Sequence, residues 1–109
     1  MHEASLARGL LSAALESTDD RIVALRGWVA ESESLSLQAL QMHFDAAATG
    51  TRAEGARLEL ELTHLSAVCG GCGATYLPEH HLLLCPDCGS TDGELQGQPG
   101  LGIRELTVT

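Results

Sequence analysis

The sequence predicts an α+β protein in which a small mixed β-sheet is covered by two helices and interrupted by a four-cysteine ribbon. Three observations lead to this fold. Two segments repeat apolar residues at helical spacing, one short segment alternates strictly between leucine and polar residues, and the four cysteines form two close pairs. With 109 residues the chain has the usual size of one domain.

The first predicted element is a helix between Ser5 and Leu15. Its apolar residues recur at three- and four-residue steps and so share one face: Leu6, Leu10, Leu11, Ala14 and Leu15. Gly9 lowers the helix propensity of this segment, but a single glycine does not end a helix. We therefore expect one helix that packs against the rest of the chain through its leucines.

A strand is expected next, from Ile22 to Val29, after turn-forming residues at 17–20. Both sets of alternating positions are largely apolar. One set contains Val23, Leu25 and Val29, and the other contains Ile22, Ala24 and Trp28. This pattern predicts a strand that is buried on both faces.

The second helix is expected to start at an N-cap provided by Ser34 or Ser36 and to end near Thr49, before Gly50. One stripe of residues, apolar except for Gln41, keeps the helical period throughout: Leu37, Leu40, Gln41, Phe44 and Ala48. This helix would cover the same sheet as the first one.

Two further strands complete the predicted sheet. Residues Arg57 to Thr63 alternate strictly and place three leucines on one face, and Ile103 to Val108 form a closing strand. The strand, helix, strand order predicts a right-handed parallel crossover. The ribbon is an insertion before the closing strand, which gives a small mixed sheet.

The charge of the chain excludes some classes of partner. Six basic and fifteen acidic side chains give a net charge of −9, whereas a nucleic-acid binder needs a basic face. Anionic membrane surfaces are disfavoured for the same reason. We expect neither nucleic acid nor membrane as a partner.

The start of the chain and its hydropathy predict a cytoplasmic protein. The opening residues lack a basic region followed by an apolar run, and no stretch reaches the length of a membrane span. Thiols are reduced in the cytoplasm, so two close cysteine pairs indicate a bound metal rather than disulfides.

The two pairs have the spacing of metal-binding knuckles. Cys69 and Cys72 are followed, twelve residues later, by Cys85 and Cys88, and a glycine follows each pair. Four thiolates complete a tetrahedral site with no open position, so the metal is structural, and zinc is its usual occupant. Iron is the lesser alternative, because rubredoxin-like sites share a Cys-Pro-x-Cys-Gly motif but use an aromatic core that is missing here.

Three histidines lie near the ribbon in sequence: His64, His80 and His81. With four thiolates available, we expect them to be loop or strand residues rather than ligands.

The amino terminus contains a second group of metal donors. The α-amine of Met1, the amide nitrogen of His2 and the His2 imidazole form fused five- and six-membered chelate rings. Nitrogen donors in a plane suit Ni(II) or Cu(II). A histidine at position 2 is weak evidence by itself, because chain termini are commonly frayed.

Read together, the motifs resemble those of the HypA/HybF hydrogenase nickel-incorporation family. They are the opening Met-His-Glu-Ala-Ser-Leu-Ala-x-Gly-Leu-Leu, the segment Gly-Thr-x-Ala-Glu-Gly-Ala-x-Leu-Glu-Leu at residues 50–60, and the cysteine motifs Cys-x2-Cys-Gly and Cys-Pro-x-Cys-Gly-Ser. The similarity follows the whole chain in order, and the combination of motifs is specific although each motif alone is not.

The resemblance implies two lobes, a nickel-binding α/β lobe at residues 1–66 plus 102–109 and a zinc-ribbon lobe at residues 67–101. It implies that nickel is bound at Met1, His2 and Glu3, while zinc stays on the four cysteines. It also implies a protein that is not an enzyme and that hands Ni(II) on, together with a GTPase partner, to the large subunit of [NiFe]-hydrogenase.

The chain departs from the family pattern between the first strand and the second helix. There the family commonly reads Gly-Glu-Leu-Ser followed by Val-Pro-Glu-Ala-Leu. This chain keeps Glu31 but lacks the glycine and the proline, and Trp28 is bulky for the strand. The packing of the second helix near the amino terminus is therefore the part that the resemblance predicts least well.

The sequence is compatible with two functions. The first is a nickel metallochaperone, and the second is a zinc-ribbon adaptor that binds protein partners and has no nickel role. An enzyme finds no support, because the ribbon has no open position and no nucleophile or phosphate-binding motif is present.

Overall fold

The computed structural model describes residues 2–79 and 82–109, and at His2 it describes the backbone alone. These residues form two helices and six strands: α1 His2–Ser17, β1 Ile22–Glu31, α2 Leu37–Ala48, β2 Arg57–His64, β3 Ala67–Cys69, β4 Thr75–Tyr76, β5 Gly93–Leu95 and β6 Gly100–Val108. In the described part of the chain, neither helix is long and apolar enough to cross a membrane.

The elements form two compact units. The helical unit comprises Met1–Val29, Leu35–Leu62 and Leu101–Thr109. The cysteine unit comprises Ala30–Ser34 and Thr63–Gly100. The short segment Ala30–Ser34 therefore belongs to the cysteine unit, although it lies about thirty residues before the rest of that unit in the sequence.

Both predicted helices are confirmed, and the structure selects between the two candidate N-caps of α2. Ser36 has extended backbone angles, φ −107° and ψ 122°, and its hydroxyl accepts a hydrogen bond from the Ala39 amide. This is the bond that an N-cap serine makes with the third helical residue. On the inner face of α2, Leu40, Phe44 and Ala48 are completely buried.

The sheet of the helical unit has the order β2, β1, β6, so β1 is the central strand. The Leu65 amide, just after β2, bonds to the carbonyl of Glu31 at the end of β1. The Thr109 amide, just after β6, bonds to the carbonyl of Arg21 before β1 starts. The ends of β1 and β2 lie side by side, so these two strands are parallel. The end of β6 lies beside the start of β1, so these two strands are antiparallel. The sheet is therefore mixed, as the sequence predicted.

Burial along β2 follows the predicted alternation. Leu58 is buried, Leu60 and Leu62 are partly buried, and all three pack with the helices in one apolar core. The charged residues between them are more exposed, and Arg57 pairs with Glu59 at 3.0 Å. The strict alternation in the sequence thus corresponds to a strand with one face packed against the apolar core.

Strand β1 differs in one respect from its prediction. Val23 was expected to share the buried side of Leu25 and Val29, but it is 37% exposed, and Ile22 joins the core with those two residues instead. Elsewhere in β1 buried residues belong to both alternating sets, such as Ala24 and Leu25, as the prediction of a strand buried on both faces requires.

Glycines allow β1 and β6 to approach each other closely where Trp28 lies. A side chain at Gly27 would collide with the Gly102 carbonyl oxygen, and a Cβ at Gly102 would lie 2.5 Å from Nε1 of Trp28. The bulky tryptophan that departs from the family pattern is thus accommodated by the absence of a side chain on the neighbouring strand.

Candidate metal centre

A second small sheet supports the cysteines. Its order is β4, β3, β5, and both pairings are antiparallel. In the central strand, Ala67 lies opposite Tyr76 of β4 and Leu95 of β5, and Cys69 lies opposite Gly93 of β5. The first metal ligand is therefore the last residue of the strand that is held on both sides.

The two knuckles have the same backbone hydrogen bonds. The Cys69 amide donates to the Ala74 carbonyl at 2.8 Å, and the Cys85 amide donates to the Ser90 carbonyl at 2.9 Å. Each bond closes a loop between the first cysteine of a pair and the residue five positions later. The repeated Cys-x2-Cys-Gly motif thus folds into two equivalent turns.

A glycine completes each turn in a conformation that other residues rarely adopt. The amides of Gly73 and Gly89 bond back to the carbonyls of Cys69 and Cys85 at 3.0 and 2.9 Å. The φ angles of these glycines are 78° and 76°. Glycine adopts positive φ without the steric cost of a Cβ, which explains why it follows both cysteine pairs.

The four sulfur atoms converge on one point. Their positions all lie within 4.8 Å of one another. Across the two knuckles, Cys69 Sγ is 3.6 Å from Cys88 Sγ, and Cys72 Sγ is 3.7 Å from Cys85 Sγ. A tetrahedron with metal to sulfur bonds of about 2.3 Å has edges of roughly 3.8 Å, so the cluster has the dimensions of a four-thiolate site consistent with zinc.

Each knuckle contributes one buried and one exposed sulfur ligand. Cys69 and Cys85 are 2% exposed, whereas Cys72 and Cys88 are exposed. The first cysteine of each pair thus lies in the core of the unit, and the second closes the site from the solvent side.

Hydrogen bonds to Cys69 favour its thiolate. The amides of Cys72 and Gly71 approach its sulfur at 3.4 and 3.3 Å. These two amides are the main reason that the pKa of Cys69 is lowered to about 6. Amides that point at a sulfur stabilise negative charge there, which is the form that binds a metal cation.

The pKa values of Cys72 and Cys88 are shifted in the opposite direction. The Ala74 amide acts to lower the pKa of Cys72, but the Cys85 sulfur and desolvation outweigh it and raise the pKa to about 12. For Cys88 the Ser90 amide lowers the pKa, but the Cys69 sulfur and desolvation raise it overall. Four thiols this close cannot all carry a negative charge unless a cation balances them.

Tyr76 is the large aromatic residue of the cysteine core. It is 8% exposed, and it packs with Ala67, Cys69 and Cys85. Its hydroxyl lies over Gly93 and has no hydrogen-bond partner within the described residues. Burial first, and then the negative charges of the cysteines, raise the pKa of its phenol.

Among the described residues, no histidine takes part in the sulfur cluster. His64 is the last residue of β2, and its Nε2 lies 2.7 Å from the Pro78 carbonyl oxygen, within hydrogen-bond distance. The metal-ligand group found among the described residues consists of the four cysteines. His80 and His81 lie outside the described residues.

Of the predicted nickel ligands, the structure describes one side chain. Met1 lies outside the described residues, and His2 begins α1. Glu3 lies in the first turn, where its Oε2 accepts a hydrogen bond of 2.8 Å from the Ser36 amide. Sequence reasoning missed this contact, because residues 3 and 36 are brought together only when the two helices pack.

These observations define a small α+β protein with a four-cysteine metal site. The chain belongs to the family described as hydrogenase/urease nickel incorporation, metallochaperone, HypA, whose sequence profile matches residues 1–108. The resemblance and the fold class given by the sequence are both confirmed.

Relatives and one solved structure agree with this assignment. The hydrogenase maturation factors HypA of Alkalilimnicola ehrlichii and Polaromonas naphthalenivorans are each 35% identical to this chain over an alignment of 112 positions. The alignments cover 99% of this chain, and 99% and 97% of the two relatives. The solution structure of the Ni metallochaperone HypA from Helicobacter pylori matches with a TM-score of 0.57 at 13% identity. That match covers 97% of this chain and 96% of the other. At that identity the match concerns the fold.

A substitution at Gly70 tests whether the close approach of Asp92 constrains the first cysteine knuckle. Its amide bonds to the Asp92 carbonyl at 2.5 Å, and an added Cβ would lie 2.8 Å from that oxygen and 2.7 Å from the Asp92 carboxylate. We expect Gly70→Ala to destabilise the cysteine unit by about 1–3 kcal/mol, because backbone must move to admit the methyl group. Chelator competition for bound metal measures this, and the variant should lose metal at lower chelator concentration.

The adjacent glycine provides a matched control. A Cβ at Gly71 would lie 3.5 Å from Ser90 Cβ, which is an ordinary contact. Gly71→Ala should therefore retain metal much better than Gly70→Ala. Equal behaviour of the two variants would show that the approach of Asp92 does not constrain the knuckle.

Proposed function

We propose that this chain is a cytoplasmic nickel metallochaperone that binds Ni(II) at its amino terminus and delivers it for maturation of [NiFe]-hydrogenase. The observation that carries the proposal is the match of residues 1–108 to a nickel-incorporation family. In this proposal the protein carries and transfers metal and catalyses no reaction. Its partners are a GTPase of the maturation system and the hydrogenase large subunit, and neither nucleic acid nor membrane is a partner.

The proposed resident metal is Zn(II), bound by Cys69, Cys72, Cys85 and Cys88. The cluster supplies four sulfur donors at tetrahedral spacing, and a site with four protein ligands has no position left for a substrate. Among the described residues, the apolar cluster around it is small and contains four buried residues. A bound metal would therefore contribute directly to the folding of the cysteine unit.

We expect one zinc ion per chain, which dialysis does not remove. Replacement by Co(II) should give the absorption bands of a tetrahedral four-thiolate site, because ligand field and charge-transfer bands report donor type and geometry. Cys85→Ala should lose the stoichiometric zinc. His64→Ala is the control and should keep it, since His64 is not in the cluster. Metal analysis that finds no zinc, or full zinc in Cys85→Ala, contradicts the ligand assignment.

The proposed nickel site uses the α-amine of Met1 together with His2. The chain contains no lysine, so in a protein that begins at Met1 the α-amine is the only primary amine. Amine-selective acetylation then changes one nitrogen without changing the sequence. This modification separates the terminal chelate from surface histidines more cleanly than a mutation does.

Nickel binding should depend on that amine and on the His2 imidazole. Their reference pKa values are about 7.7–8.0 and about 6.5, and both groups must lose a proton to coordinate. Protons therefore compete, so nickel binds near neutrality and is released as the pH falls toward about 6. Calorimetry should show that acetylation, an amino-terminal tag and His2→Ala each abolish tight binding, while zinc content persists.

The control for this series is His43→Ala, which removes a histidine of α2 and should leave nickel affinity unchanged. Equal nickel affinity in the untreated, acetylated and His2→Ala proteins would overturn the terminal site. It would then favour the second function, a zinc-ribbon adaptor with no nickel role.

Glu3 is the third proposed nickel ligand, and its hydrogen bond gives it a second possible role. One carboxylate oxygen is held by the Ser36 amide, so Glu3 also connects the first turn of α1 to the N-cap of α2. Glu3→Gln keeps an oxygen that can accept this bond but removes the charge. If Glu3 coordinates nickel, calorimetry should show clearly weaker binding in Glu3→Gln, close to that in Glu3→Ala. Unchanged affinity in Glu3→Gln would show that Glu3 only positions the terminus.

A further inference from the structure

A groove on the surface of the cysteine unit is not used by the metal centre. It has a volume of about 370 Å³ and is lined by Tyr76, Leu77, Glu79, Leu82, Leu84 and Pro86. The Leu82 amide bonds to the Glu79 carbonyl at 2.9 Å, and these two residues form an antiparallel bridge. The chain thus doubles back between β4 and the second knuckle, which brings leucines from both sides of the bend into one groove.

The leucines of this groove are exposed to an unusual degree. Leu77 is 58% exposed, Leu82 61% and Leu84 47%. The small core of the unit is formed without them, by Ala67, Cys69, Tyr76 and Cys85. Large apolar side chains that gather on a surface without serving the core are typical of a protein interaction site.

Apart from its histidines, the cysteine unit carries charged side chains of one sign. The cysteine unit contains no lysine or arginine, and all six arginines of the chain lie in the helical unit. The cysteine unit contains six acidic residues, of which Glu31 is buried: Glu31, Glu33, Glu79, Asp87, Asp92 and Glu94. Glu79 lines the groove itself, and Asp87 directly follows Pro86 at its edge.

We propose that this groove binds a segment of a partner protein in which apolar side chains are flanked by lysine or arginine. The leucines would bury the apolar residues, and the acidic surroundings would attract the basic ones and repel acidic competitors. A second copy of this chain fits poorly, because two such faces would bring like charges together. The inference rests on this face alone and does not depend on nickel binding at the amino terminus.

Two synthetic peptides test the charge requirement on the zinc-loaded full-length protein. Both carry leucines at helical spacing, and the other positions are lysine in one peptide and glutamate in the other. Nitrogen-15 amide spectra should show that the lysine peptide shifts resonances at residues 76–86 and that the glutamate peptide shifts none. Added salt should weaken the binding of the lysine peptide, since charge contributes to it.

Surface variants test the location. The double variant Leu82→Ser and Leu84→Ser should weaken binding of the lysine peptide at least ten-fold. Glu79→Gln should weaken this binding less and should reduce the dependence of the affinity on salt. The matched control is Leu37→Ser combined with Met42→Ser on α2, where the side chains are 42% and 64% exposed. This control variant should bind the lysine peptide with the same affinity as the unmodified protein. Zinc content and amide spectra verify the fold, and Leu77→Ser replaces the double variant if that one fails to fold.

Three results would overturn the proposal. The first is equal binding of both peptides, which would mean that charge does not select the partner. The second is peptide shifts outside residues 76–86, or equal weakening by the α2 control. The third is concentration-dependent dimerisation in sedimentation that Leu82→Ser abolishes, because a second copy would then be the occupant of the groove.

Discussion

The convergence of four sulfur atoms is the constraint on which the cysteine unit depends. Three short strands and two turns supply very little apolar core, and in the described residues two of the four buried members of the apolar cluster are cysteines. The close approach of four thiols is unfavourable if they are charged and unbalanced. The equivalent turns, the positive φ of Gly73 and Gly89 and the amides aimed at Cys69 are all arranged to keep the sulfurs at metal-binding distance.

The helical unit is stabilised in a different way, by ordinary apolar packing. Two helices cover one face of a mixed sheet, and the largest completely buried side chain, Phe44, comes from α2. This packing also sets the surroundings of the amino terminus, because the N-cap of α2 holds Glu3 in the first turn of α1. Glu3, the third proposed nickel ligand, is therefore positioned by the apolar packing of the helical unit.

The division of charge between the units gives each a different surface. In the helical unit arginines are paired with glutamates, as in Arg26 with Glu105 and Arg104 with Glu61, and exposed pairs of this kind contribute little to stability. The cysteine unit has no basic side chain other than histidine. An apolar groove on such a surface can select partners by charge as well as by shape.

The sequence by itself determined the elements whose signal is local: both helices, strand β2, the α+β class and the cysteine cluster. Periodicity and the Cys-x2-Cys spacing are fixed by geometry within a few residues. Only the tertiary structure decided the exposure of Val23, the contact of Glu3 with Ser36 and the inclusion of Ala30–Ser34 in the cysteine unit. Each of these depends on residues far apart in the chain, whose approach is set by packing rather than by local pattern.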